Sequence, residues 1–304
     1  MDAIDAHQWW AAELVKCLKG EFENRIDYFF IGEIGGEIVG LVWYCTPKDT
    51  KDLATFGRVF TKPEHRGKGI ASILTEIATE NFKEENGLAM YLASGNPAAI
   101  RIYEKFGFRR LKGCIFRWVA SMKPEEFEDK YYSYSSPVTI RKPTWADLPR
   151  FESLFNLPLK WPIIYYPYGI VNTGYEGQFI PFMAGIEIGK VKSLVLQNNL
   201  KRVVGMASLT PLSSGAESHV RTLDFVVHPN YLCEAEKLLK EMENIAQQEK
   251  IKIIRCYVAE NNLEKIRILE KSKFNLVAKY EKGLIIKGRE ISLFAYEKFI
   301  YPQD

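Results

Sequence analysis

The amino-acid sequence predicts an α+β protein made of two tandem copies of one domain, each a mixed, mostly antiparallel sheet flanked by helices. Residues 224–229 (Asp-Phe-Val-Val-His-Pro) echo residues 58–63 (Arg-Val-Phe-Thr-Lys-Pro), an apolar strand ending in proline. Residues 266–271 (Ile-Arg-Ile-Leu-Glu-Lys) followed by Phe274 echo residues 100–105 (Ile-Arg-Ile-Tyr-Glu-Lys) followed by Phe108. Both pairs share an offset of 166 positions, 229 against 63 and 266 against 100, which marks an internal repeat. Within each copy, β-rich runs alternate with stretches of helical periodicity, the pattern of a sheet with helices packed on it.

The first copy opens with a helix-like segment over residues 7–18, with no strand ahead of it. Residues 28–34 and 37–45 are β-rich runs joined by Gly35-Gly36, and two glycines suit a tight hairpin because both can take φ > 0. Residues 54–60 form a further strand. Ile70, Ile73, Leu74, Ile77 and Ala78 then follow helical spacing and predict an amphipathic helix of about four turns. A strand over 88–94, a short helix over 97–106 opened by proline, and a strand over 108–120 complete the copy. The second copy begins with a strand at 138–142 and a capping-box helix start at Thr144 and Asp147. It continues with strands at 192–197, 202–209 and 220–228, a helix at 233–248, a strand at 251–258, a helix at 263–272 and two closing strands. Residues 122–129 are acidic and 131–137 are polar-aromatic with a proline. The expected division is therefore a first domain over 1–121, a linker over 122–137 and a second domain over 138–304.

Composition excludes several function classes. A chain of 304 residues, 47% hydrophobic and 26% charged, can bury a sizeable core. Its net charge of +3 is spread along the chain, too mild for a nucleic-acid binder, where a concentrated basic face is expected. The five cysteines are scattered without metal-ligand spacing, so neither a metal site nor a disulfide framework is expected, and a cytoplasmic setting follows. Residues 1–10 carry acids and no apolar run, unlike a signal peptide, and no apolar stretch is long enough to span a membrane.

The chemistry concentrates where the strand ending at Phe60 meets the helix beginning near Ile70. The turn between them reads Arg66-Gly67-Lys68-Gly69-Ile70-Ala71. Glycines there let backbone N–H groups converge on a ligand without side-chain interference. The helix N-terminus adds about half a positive charge, and Arg66 and Lys68 add full ones. The pattern suits a pyrophosphate, although it is neither a Walker A loop nor Gly-x-Gly-x-x-Gly.

A second segment, Asn96 through Tyr103-Glu-Lys-Phe-Gly107-Phe108, follows the next strand. Together, Arg66-x-x-Gly69-x-Ala71 and this segment resemble the GNAT superfamily of N-acetyltransferases, in the right order and spacing. The resemblance is strong over 28–120 and weaker over 138–300. It implies that Arg66, Gly67, Lys68, Gly69, Ile70 and Ala71 hold the pyrophosphate of acetyl-CoA, largely through backbone amides. It also implies that Val59, Phe60 and Thr61 run beside the pantetheine arm and that Asn96 contacts the cofactor. Tyr103 is then the general acid for the departing thiolate. A phenol of pKa ~10 against a thiol of ~8.5 makes this transfer slightly uphill in water, and burial of the thiolate narrows the gap. The implied activity is transfer of an acetyl or small acyl group to a primary amine of a small-molecule or peptide acceptor. The alternative is a non-catalytic acyl-CoA sensor.

Two features depart from the family pattern. The strand before the phosphate loop carries no acid to serve as general base, leaving Asp52, Glu33 and Glu64 as candidates without a motif behind them. An acceptor of low amine pKa would need no strong base. The usual first strand is also missing. The second copy has Pro-Asn-Tyr-Leu-Cys-Glu-Ala-Glu at 229–236 in place of the glycine loop and Leu269 in place of Tyr103. No coenzyme A is expected there, and the copy would instead close the acceptor pocket and bury a domain interface. The pair would act as a monomeric pseudo-dimer or as a homodimer. The aromatic run at 161–169, in the long stretch 156–189, reads either as an acceptor-binding lid or as packing. His65 is expected to face solvent, and Asp224 reads as a surface acid or as a group at a cleft between copies.

Overall fold

The computed structural model describes residues 6–168, 176–212 and 215–300. The first half contains α1 (Ala6–Lys19), β1 (Arg25–Ile34), β2 (Glu37–Pro47), β3 (Leu53–Thr61), α2 (Ile70–Glu84), β4 (Ala89–Ala93), α3 (Pro97–Lys105), β5 (Arg109–Lys112), β6 (Ile115–Val119) and α4 (Phe127–Tyr131). The second contains β7 (Thr139–Arg141), α5 (Leu148–Phe155), α6 (Glu176–Glu187), β8 (Lys192–Gln197), β9 (Val203–Pro211), β10 (Val220–Val227), α7 (Ala235–Gln248), β11 (Ile253–Ala259), α8 (Leu263–Lys271), β12 (Asn275–Ile286) and β13 (Arg289–Phe299). The chain forms two compact units, one of Met1–Tyr131, Thr144–Asn156 and Gly174–Ile180, the other of Tyr132–Pro143, Leu157–Thr173 and Pro181–Asp304. Residues 144–156, which follow β7 in the chain, thus sit with the first unit.

The first sheet runs β1-β2-β3-β4-β6-β5 and the second β12-β13-β11-β10-β9-β8-β7. One parallel pair interrupts each otherwise antiparallel sheet, β3 with β4 and β10 with β11. Repeat and topology agree, so the duplication predicted from the offset is a duplication of fold. The first sheet has one strand fewer, and among the described residues no strand precedes α1. Gly35 and Gly36 both take positive φ at the β1–β2 hairpin.

Two local readings need correction. Residues 108–120 are not one strand but the hairpin β5–β6, turning at Gly113 with φ 54°. On α2 the buried stripe is Leu74, Thr75, Ala78, Thr79 and Phe82, while Ile73 and Ile77 are half exposed. The threonines turn inward because the helix satisfies their hydroxyls: Thr75 Oγ1 donates to the Ala71 carbonyl at 2.7 Å and Thr79 Oγ1 to that of Thr75 at 3.0 Å. This stripe packs with Tyr103 and Phe108 onto Val42, Tyr44, Phe56 and Phe116 of the sheet. Helix α6 was not anticipated, since Pro181 inside it breaks the helical pattern in the sequence.

Candidate active site

The parallel pair of the first sheet holds register only from Leu53 opposite Ala89 to Thr55 opposite Tyr91. Beyond those rows the β3–β4 pairing ends, and a cavity of about 620 Å³ opens between the end of β3, the start of α2 and α3. A bulge in β3 shapes its edge. Register against β2 passes from Trp43 opposite Gly57 to Leu41 opposite Phe60, so Arg58 and Val59 together face one residue. Arg58 takes φ 52°, an unfavourable backbone for a non-glycine residue. Its side chain is held from the far face, stacked 4.5 Å from the Trp43 ring and paired with Glu13 of α1. Glu13 is buried and also accepts from Arg25 Nη2 at 2.7 Å.

Val59, Phe60 and Thr61 leave the bulge along one wall of the cavity. The chain then makes a short 3-10 turn, Pro63–His65, and Arg66 Nε donates back to the Thr61 carbonyl at 3.1 Å. Gly67 and Gly69 follow with φ 76° and 81°, the left-handed region that glycine enters without strain. Gly69 is the N-cap of α2 and no side chain caps that helix. The first helical bond runs from Ile73 N–H to the Gly69 carbonyl. The N–H groups of Ile70, Ala71 and Ser72 therefore have no helical acceptor, and these three residues line the cavity. They form a donor set suited to an anion, reinforced by the helix dipole.

The opposite wall is α3. Asn96 is its N-cap, with Oδ1 accepting from Ala98 N–H at 3.0 Å, which leaves the Asn96 Nδ2 group as a further donor. Ala98, Ala99 and Ile102 line the cavity beside it. Tyr103 closes the wall. Its ring is buried against Phe56 and Phe108, at 5.8 and 5.9 Å between centroids, and burial pushes its phenol up to about 12. A proton therefore stays on this oxygen throughout the neutral range.

The cavity thus collects Val59, Phe60, Thr61, Arg66, Gly67, Gly69, Ile70, Ala71, Asn96 and Tyr103 from segments far apart in the chain. Lys68, between the two glycines, is exposed and does not line it. His65 does, half buried, with Nδ1 enclosed and without a hydrogen-bond partner. The turn it stands in folds inward where solvent exposure was expected. Asp52, Glu33 and Glu64 are all outside the lining, and no carboxylate is part of it. The bulge at Arg58 was missed by sequence reasoning, although the repeat held a trace of it. Asp52 and His219 play the same part in the two copies, each accepting two N–H groups from the start of the neighbouring parallel strand. Pro63 stands eleven positions after Asp52, whereas Pro229 stands ten after His219. The extra residue of the first copy is the bulge, and β10 pairs with β9 without one.

In the second unit the expectations for Asp224 and the aromatic run resolve differently. Asp224 is no surface acid: it is buried and paired with Lys265 of α8. Trp161, Ile163, Ile164 and Tyr165 are also buried, which is packing and not an open lid. Gly169 and residues 170–175 of that stretch lie outside the described residues. Among the described residues no cluster of three or more His, Cys, Asp or Glu side chains could hold a metal. No helix there is long and apolar enough to cross a membrane.

A sheet whose parallel pair ends early, with free helix N–H donors on one wall and a buried phenol on the other, defines a cleft for an elongated, anionic ligand. The chain belongs to the acetyltransferase (GNAT) family, whose model matches residues 3–108 and again 165–274. It is similar to N-acetyltransferase family 8 member 2 of Rattus norvegicus, 29% identical over 110 residues, covering 32% of this chain and 48% of that protein. An uncharacterised N-acetyltransferase of Methanocaldococcus jannaschii is 29% identical over 120 residues, covering 38% of this chain and 51% of the other. The chain thus spans about half the length of the curated relatives it matches. Among solved structures it is similar to yncA from Salmonella typhimurium, determined with its cofactor acetyl-CoA, with 18% identity and a TM-score of 0.48. That match covers 55% of this chain and 96% of the other.

Proposed function

We propose that this chain is an N-acyltransferase that moves an acetyl or small acyl group from acetyl-CoA to a primary amine. The catalytic part is the first copy, residues 1–121, and the second copy, 138–304, serves as scaffold. The observation that carries this reading is the meeting of two sequence-distant groups in one cavity: the uncapped N-terminus of α2, and Tyr103 on α3. The donor set of Ile70, Ala71 and Ser72 fits a pyrophosphate, with Gly67 and Gly69 keeping the approach open, since a Cβ at either would meet nothing within 4 Å. Arg66 and the Asn96 amide would hold the same ligand, and Val59, Phe60 and Thr61 would lie along its arm.

When bound, the thioester supplies the activated acyl group. Tyr103 holds a proton at its oxygen for the departing sulfur, and its raised pKa keeps that proton in place until a thiolate develops beside it. No carboxylate lines the cavity to take a proton from an ammonium, and His65 is the one imidazole among its lining residues. Glu13, which pairs with Arg58 at the bulge, is tied to two guanidinium groups and does not line the cavity. With no carboxylate in the lining, the reading favours an acceptor amine that arrives neutral, whether small molecule or peptide. A reducing compartment such as the cytoplasm fits the five free cysteines.

Calorimetric titration of acetyl-CoA into the wild type and into Gly67→Glu/Gly69→Glu tests the assignment. We expect one site per chain, abolished in the variant, where two carboxylates would oppose the pyrophosphate. A wild type that binds no acetyl-CoA would sink the proposal. The missing carboxylate favours a second reading, a non-catalytic acyl-CoA-binding module, which needs no base.

A further inference from the structure

The parallel pair of the second unit also ends early, and Trp161 of the same unit packs against the positions that match the wall of the first unit's cavity. Strands β10 and β11 hold register from Val220 opposite Ile253 to Leu223 opposite Cys256, and their pairing then ends, as that of β3 and β4 does. By the offset of 166, Phe225, Glu264 and Lys265 are the counterparts of Val59, Ala98 and Ala99, all three of which line the first cavity. In the second unit the Trp161 side chain reaches the counterparts of all three. Its ring centroid lies 6.1 Å from that of Phe225, its Nε1 donates to Glu264 Oε2 at 3.0 Å, and the Lys265 ammonium sits 5.4 Å over its ring.

Trp161 and Lys265 are each 2% exposed. A buried ammonium persists only with a partner, and Lys265 has one in Asp224, itself 1% exposed. Asp224 also accepts from Tyr166 N–H at 2.5 Å and Phe225 N–H at 2.8 Å. The segment carrying Trp161 is thus fastened at both ends: by Glu264 at the indole, and by Asp224 at Tyr166. The changes relative to the first copy are concerted. Two alanines of the cavity wall become Glu264 and Lys265, the bulge is absent, and Leu269 replaces Tyr103.

We infer that the Trp161 indole, locked by Glu264, Lys265 and Asp224, is an intramolecular ligand that occupies the second cleft. The unit keeps the fold's opening but fills it with its own chain, so the ends of its parallel strands are supported without any bound molecule. The inference stands on contacts within the second unit, and only the likening of its cleft to a cofactor site rests on the function proposed above.

If Trp161 is a ligand, removing it should leave a site that free indole refills. Trp161→Gly is expected to lower Tm by on the order of 10 °C. Indole at ~1 mM should then raise the Tm of the variant while leaving the wild type unchanged. Equal Tm values for variant and wild type, or no selective response to indole, would overturn the inference. Should Trp161→Gly not fold, acetyl-CoA titration decides: one site remaining per chain in Gly67→Glu/Gly69→Glu would place a ligand in the second cleft and refute its occupation by Trp161, whereas loss of all binding upholds it. A wild type that binds no acetyl-CoA defeats the functional reading alone and leaves the indole test intact.

Discussion

Tyr103 illustrates how one buried side chain joins packing to chemistry. Its ring completes the aromatic cluster with Phe56 and Phe108, and the same burial raises its phenol pKa. Tyr103→Phe keeps the ring, so acetyl-CoA affinity should stay close to wild type while turnover falls by about 10²–10⁴. Unchanged turnover with a responsive amine would remove Tyr103 from the role of acid and favour the binding-module reading. Glu13 is a residue of another kind, remote from the ligand but set under the bulge. Glu13→Ala would leave the buried Arg25 with Asp27 as its remaining carboxylate, so the cost should fall below the about 3–5 kcal/mol of a fully orphaned buried charge. Denaturant unfolding of the variant should show that cost, together with weaker acetyl-CoA binding as Arg58 is released.

At the scale of elements, the site depends on where α2 begins. Gly40 of β2 lies beneath that point: a Cβ there would come within 2.6 Å of Ile70 Cγ2 and 3.2 Å of Leu74 Cδ1. Ile70 is the first residue of α2 and one of its free donors. Gly40→Ala should therefore destabilise by about 1–3 kcal/mol through overpacking and lift the donor set out of line. Calorimetry should show weaker acetyl-CoA binding even at temperatures where the variant is fully folded. Retained affinity would mean that the loop, not the helix start, positions the ligand. The bulge in β3 acts at the same scale. One added residue turns Val59 to Thr61 toward the cavity, and the second copy lacks it.

For the whole molecule, the buried phenols set an alkaline limit. Burial pushes Tyr91 and Tyr103 up to about 12 and Tyr44 higher still. In the unfolded chain tyrosine ionises near ~10. A group whose pKa is raised by folding contributes stability that is whole below the unfolded value and lost as pH climbs through the folded one. Thermal stability should therefore hold to about pH 10 and fall between pH 10 and 12, in step with tyrosinate absorbance. A Tm insensitive to pH across that window would contradict the burial of these phenols.

Much of this was legible because it is local. The offset of 166 exposed the duplication, Gly35-Gly36 the hairpin, and Thr144 with Asp147 the capping box, which forms. The hairpin and the capping box rest on backbone propensity over a few neighbouring residues, and the duplication on comparing short segments with one another. The glycine turn ahead of α2 was legible for the same reason, since Gly67 and Gly69 need their positive φ wherever the helix packs. Other features depend on residues distant in sequence. That Ile73 and Ile77 face outward while two threonines face inward was decided by which side of α2 met the sheet. Arg58 could hold its unfavourable backbone only because Glu13 and Trp43 lie beneath it. Trp161 reads in sequence as one aromatic among prolines, and only the early end of the β10–β11 pairing shows what it fills. Local pattern thus revealed the elements and the first cleft, whereas occupation of the second arises from contacts across more than sixty positions of the chain, which short-range spacing does not encode.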